Sequence, residues 1–165
     1  MRRLVAVVAV LALAACADKQ PTNAADGRET LTLTSVGAPV VFNTQLRAEN
    51  EPNAASSSES KGHAQVKIQP DGTIEFSVSL NNKDDETVTR AHIHKAAAGV
   101  NGPIHWDFHE PPQDAPVTGT HPSLEGTARP RAAANLSDLL ANPQLYYVNV
   151  HSARFPGGVV RGQLP

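Results

Sequence analysis

The chain has 165 residues, with 14 Lys and Arg against 16 Asp and Glu and a formal charge of −2. That balance leaves no basic patch of the kind nucleic-acid binding requires. The single cysteine, Cys16, excludes an intramolecular disulfide. Stability must come from core packing, with or without a metal, and the length suits one domain behind a short leader.

The leader comes first. Arg2 and Arg3 precede an unbroken apolar run from Leu4 to Leu13, followed by Ala14, Ala15 and Cys16. Basic, apolar, then small is the layout of a secretory signal. The run is shorter than the ~20 residues that span a bilayer. Leu13-Ala14-Ala15-Cys16 resembles the lipobox of bacterial lipoproteins, which implies cleavage after residue 15 and a diacylated Cys16 as the mature N-terminus. Acyl chains would occupy the lone thiol and hold the protein on a membrane. Ala17 stands where, in Gram-negative lipoproteins, an Asp would favour retention in the inner membrane, so for a Gram-negative source the resemblance implies the outer membrane. The plainer alternative is an ordinary secretory signal with a chance cysteine.

Residues 16–38 read as a flexible tether and 39–165 as the folded domain. Leu31 and Leu33 could begin a strand, and 49–60 form a Ser- and Glu-rich loop. In 62–69, Ala64, Val66 and Ile68 alternate with polar residues; after Pro70-Asp71-Gly72, Ile74, Phe76, Val78 and Leu80 do the same. Period-two patterning on both sides of a turn predicts an antiparallel hairpin with one buried face. Further strands are expected at 87–94, 103–108, 124–128, 146–151 and 159–164, with a short helix over 135–141. Short strands separated by turns indicate an all-β, antiparallel sandwich or barrel, immunoglobulin-like or superoxide-dismutase-like.

The chain has seven histidines. His92 and His94 lie two apart on a strand, so both project from one face while Ala91 and Ile93 point the other way. Two imidazoles on one strand face are half of a copper or zinc site. On the 146–151 strand Tyr146, Val148 and Val150 should face the core, turning Asn149 and His151 outward. His92, His94 and His151 converge if the two strands are neighbours; Asn149, Arg161 and Gln163 would then be supporting polar groups. A weaker cluster is His105, Asp107 and His109, on the face opposite Ile104, Trp106 and Phe108. Pro111-Pro112 follows, so the segment reads as running into an exposed loop and the cluster as a solvated face ahead of a zinc site; histidines on any alternating strand can also simply occupy its polar side or fix loops by hydrogen bonds. His63 and His121 have no partner nearby in sequence. No nucleophile elbow, catalytic cysteine or phosphate-cradling loop is present.

Several segments together resemble the CHRD domain, the module named after chordin and also found in bacterial secreted proteins. They are Phe42-Asn43-Thr44-Gln45-Leu46 with Glu49-Asn50-Glu51-Pro52, the 62–80 hairpin, Ala91-His92-Ile93-His94 with Gly99-Val100-Asn101-Gly102-Pro103-Ile104, and Tyr147-Val148-Asn149-Val150-His151-Ser152 with the closing 155–164 stretch. The resemblance covers 42–165 and implies a β-sandwich without an agreed enzymatic activity. Two residues depart from the pattern. Lys95 replaces the usual glycine and would bring a cation beside the histidines if it points inward. Val159 replaces an acidic residue and would remove a carboxylate partner of Arg161. The His-x-His and the final Arg-Gly region are also similar, more faintly, to copper/zinc superoxide dismutases. Those enzymes use a bridging histidine, further zinc ligands and usually a disulfide; no bridging histidine is identifiable here.

The leading reading is a non-enzymatic, lipid-anchored envelope module that binds a protein, a ligand or a metal ion, with copper or zinc at His92, His94 and His151. Its partners would be the membrane, through Cys16, and an envelope protein, but not nucleic acid. The rival from another class is a copper-dependent, dismutase-like oxidoreductase with no catalytic residue assigned in the protein. A third reading is a scaffold whose histidines only pin loops.

Overall fold

The computed structural model describes residues 37–52 and 58–165. The leader, Cys16, the tether up to residue 36 and the strand suggested at Leu31 and Leu33 lie outside the described residues.

The elements run in the order β1 (Val40–Arg47), a 3-10 turn, β2 (Lys61–Ile68), β3 (Ile74–Asn81), β4 (Val88–Lys95), β5 (Ile104–His109), β6 (Ser123–Thr127), β7 (Arg129–Pro130), α1 (Leu136–Ala141), a second 3-10 turn, β8 (Tyr146–Ser152) and β9 (Val160–Gln163). They form one nine-stranded antiparallel sheet in the order β6-β3-β2-β1-β9-β8-β4-β5-β7. The two outer members, β6 and β7, are successive parts of a single segment. It pairs with β3 at one end and with β5 at the other. One run of chain thus ties both edges of the sheet together and brings it close to a closed barrel, which leaves little unpaired edge. The all-β expectation holds, and the expected helix is present. Asn135 caps it by accepting the Asp138 N–H at 3.0 Å.

Alternation fills the barrel. Ile68 faces Ile74, Val66 faces Phe76 and Ala64 faces Val78 across the β2–β3 hairpin, and all six are buried. The turn between them is held by the Gly72 N–H donating to Gln69 O at 2.9 Å and the Thr73 N–H to Asp71 Oδ1 at 2.9 Å. Ala91, Ile93, Val148 and Val150 join the same core. Phe76 stacks on Phe108 with centroids 4.2 Å apart, an arrangement that adds about 0.5–1.5 kcal/mol to burial alone.

The other face of the central strands departs from expectation. Period two predicts a solvated outer side for β4 and β8, yet every residue of β8 is buried. The cause is a second layer of loops. Asn50 Nδ2 donates to Arg161 O at 3.0 Å, and Gln163 Nε2 donates to Ala96 O at 3.0 Å and Gln144 O at 2.7 Å. These bonds draw the segments after β1, β4 and α1 over the sheet. The polar groups beneath are therefore shielded from water, which makes their partners decisive.

Candidate metal centre

Strand order places β8 between β4 and β9. Register then sets His92, Asn149 and Arg161 in one row, and His94, Tyr147 and Gln163 in the next. His92, His94 and His151 converge as expected: one ring nitrogen from each lies within 4.8 Å of the others. They are buried, at 1%, 7% and 6% exposure.

Their hydrogen bonds fix the ring protons of His94 and His151. His94 Nδ1 lies 2.9 Å from Gly102 O and His151 Nδ1 lies 3.0 Å from Pro156 O. A carbonyl only accepts, so each Nδ1 carries the proton and each Nε2 is bare. His92 Nε2 lies 2.6 Å from Glu110 Oε2, and its Nδ1 lies 3.0 Å from His151 Nε2. A neutral imidazole has one proton. That proton serves either Glu110 from Nε2 or His151 from Nδ1, and a cation at the three histidines would favour the Glu110 tautomer, leaving His92 Nδ1 bare. The bare His94 Nε2 is buried without a hydrogen-bond partner.

Electrostatics keep the rings neutral. Burial, reinforced by the neighbouring imidazoles, pushes His92 and His151 down to about 3, and burial also lowers His94. In His92 these effects outweigh the attraction of Asp107. Three buried ring nitrogens thus lie close together, with the opposite side of each ring held by a carboxylate or a carbonyl. That is the outer-shell pattern of metal-ligating histidines. Nitrogens about 2.0–2.1 Å from a tetrahedral zinc ion sit about 3.3–3.4 Å from one another, so His92 and His151, 3.0 Å apart, would part by a few tenths of an ångström to share it. The residues fit copper or zinc.

The supporting residues are placed as follows. Arg161, on β9, donates to Glu51 Oε2 from Nε at 2.9 Å and from Nη2 at 2.7 Å. The substitution at Val159 therefore does not deprive Arg161 of a carboxylate, because Glu51 supplies it from the loop after β1. Asn149 packs beneath Gly158, where an added Cβ would come within 2.6 Å of both Asn149 Oδ1 and Glu51 Oε1; the positive φ of 126° there also favours glycine. Lys95 does not approach the histidines as a free cation: its Nζ pairs with Asp138 Oδ2 at 2.5 Å and lies 5.6 Å from the centroid of the Tyr146 ring. Tyr146 donates its hydroxyl proton to the same carboxylate.

His105, Asp107 and His109 do not assemble. Two register shifts interrupt the β4–β5 ladder, between Ala91 and His92 and between Ile93 and His94. Each bulge inverts the alternation. Asp107 ends opposite His92, whereas His109 ends opposite the core residue Ala91. Both histidines are buried rather than solvated. His105 packs against Tyr146, with centroids 5.5 Å apart. Asp107 instead accepts from Arg131 Nε at 2.6 Å. A ligand group of His92, Asp107 and Glu110 does exist, but Arg90 and Arg131 lie 3.5 and 3.6 Å from Glu110 Oε1. Those guanidinium charges disfavour a cation there. His63 lies on β2 opposite Ser79, and His121 Nδ1 lies 3.0 Å from Thr120 Oγ1; neither enters the site.

Glu110, Gly102 and Pro156 were not legible as site residues. Glu110 follows β5 with no motif around it, and the other two act through backbone carbonyls that any residue carries. Glu51 stood in a quoted motif, but nothing in sequence joined it to Arg161.

Comparison with curated proteins and with solved structures gives no match. A family model for the CHRD domain matches residues 42–164. That span includes every described strand except the first residues of β1, and all three histidines, so the chain belongs to the CHRD domain family.

Proposed function

We propose that this CHRD domain is a metal-binding module of the bacterial envelope, held to a membrane by acyl chains on Cys16 and taking a copper or zinc ion at His92, His94 and His151. One observation carries the metal reading: three buried imidazoles bring one nitrogen each within 4.8 Å of the others while acceptors hold their opposite sides. A cation there would be met by nitrogen donors in a desolvated space, with their rings already oriented by the groups behind them. When bound, copper or zinc would supply Lewis-acid character, and copper also a redox couple.

Burial under the loop layer favours holding the ion over turning over a substrate on it, so the non-enzymatic reading stands ahead of the dismutase-like one. The basic, apolar and small leader ending at Cys16 supports anchoring, and Ala17 supports the outer membrane. An envelope protein is the natural partner for such a module.

The test is titration calorimetry with zinc on the full chain carrying Cys16→Ser, which removes the only thiol. One equivalent should bind, and His92→Ala/His94→Ala should abolish it. Binding that is absent, or that survives the double substitution, would sink the metal reading. Anchoring is checked separately by fatty-acid labelling in cells, which should disappear in Cys16→Ser.

A further inference from the structure

Arg161 and Glu51 form a buried ion pair on the histidine side of the sheet. The guanidinium makes further contacts on its other side. Nη1 donates to Val100 O at 3.2 Å and Nη2 donates to Asn101 Oδ1 at 2.6 Å. Val100 and Asn101 immediately precede Gly102, whose carbonyl takes the His94 Nδ1 proton. Gly102 is also tied from its own N–H, which donates to Tyr147 Oη at 3.1 Å. The Tyr147 ring stacks on His94 at 5.0 Å with 10° between planes, and the Arg161 guanidinium lies 4.4 Å from the same ring. Gly102 could not be replaced without moving the loop, because a Cβ there would lie 1.9 Å from Lys95 O.

These contacts form one chain from Glu51 to His94. A lone arginine would hold the loop but leave a cation near a metal ion; Glu51 supplies the compensating charge. A buried pair is weak evidence for stability, since hydrophobic replacements often serve as well. Its specific reach across two loops calls for another account.

We propose that Arg161 and Glu51 are positioning residues of the metal centre: they clamp the 96–102 loop so that Gly102 O fixes His94 with its Nε2 aimed at the ion. The inference rests on the metal reading above. It predicts a division of labour in which His92 and His151 set two ligands through their own partners and His94 depends on the clamp. Losing the clamp should free one nitrogen and leave the other two.

The experiment is copper(II) titration with electron paramagnetic resonance on the full chain carrying Cys16→Ser. Parent, Arg161→Lys, Glu51→Gln, Asn101→Ala and His94→Ala are compared, with thermal unfolding recorded for each. Lysine keeps the charge but not the planar fork that reaches several acceptors. Arg161→Lys and Glu51→Gln should weaken binding about tenfold or more and change the nitrogen hyperfine pattern from three ligands to two, matching His94→Ala. Asn101→Ala removes one part-buried contact from an exposed residue and should weaken binding by a few fold; it serves if the buried variants fail to fold. Parent-like affinity and a three-nitrogen spectrum in Asn101→Ala and in whichever buried variant folds would overturn the clamp while leaving the metal reading intact. A parent that binds no copper at all would overturn both.

Discussion

Two histidine groups on neighbouring strands look alike in sequence and differ in space. His92 and His94 meet His151, whereas His105 and His109 share no ligand group with Asp107. Spacing of two along a strand is common to both. What separates them is the ladder. β4 and β8 stay in register from Arg90 to Lys95, so side chains on one face remain together. β4 and β5 slip twice in the same stretch, which sends Asp107 outward and His109 toward the core. Along-strand spacing places donors on a face, but only unbroken cross-strand register brings three of them to one point.

The comparison can be broken most directly by deletion. His94→Ala or His151→Ala should reduce zinc affinity by at least about a hundredfold, since each removes one of three ligands. His105→Ala and His109→Ala should bind as the parent does by calorimetry, at whatever cost in thermal stability. Next in size is Glu110→Gln. The amide cannot hold the His92 Nε2 proton as the carboxylate does, and affinity should fall about 10–100-fold, read by competition with a chelating dye.

A third test uses acid. His92 and His151 lie near 3 in the folded protein against an ordinary value of 6.5. Unfolded imidazoles therefore bind protons that the folded state refuses, and stability must fall as pH drops from about 6.5 toward 3. Denaturant midpoints at pH 7.5 and 5 should show this in the metal-free parent, and the loss should shrink in His92→Ala/His151→Ala. The smallest effect is expected from Lys95→Ala. Its pair with Asp138 is partly exposed and screened by solvent, so thermal stability should fall little, and zinc affinity should not change, because the ammonium is turned to Asp138 rather than to the histidines.

Much of this architecture was legible in the residues. Alternation about Pro70-Asp71-Gly72 marked the β2–β3 hairpin, and His92, His94 and His151 were nameable because each sits opposite an apolar set that had to face inward. The loop layer was not legible. It is built from side-chain bonds between segments distant in sequence, such as Arg161 to Glu51 and Gln163 to Ala96, and a period-two pattern cannot reveal that its polar side is covered. The two bulges were equally hidden, because alternation within β5 continues unbroken in sequence while its pairing to β4 slips. The β7 segment is two residues long and contains Pro130, too short and too irregular to signal a strand.

The most direct measurement is anomalous diffraction at the zinc edge from crystals grown with one equivalent of zinc. The account predicts a single peak about 2.0–2.1 Å from His92 Nδ1, His94 Nε2 and His151 Nε2. A peak among His92, Asp107 and Glu110, or no peak at the three histidines in a zinc-saturated protein, would contradict it.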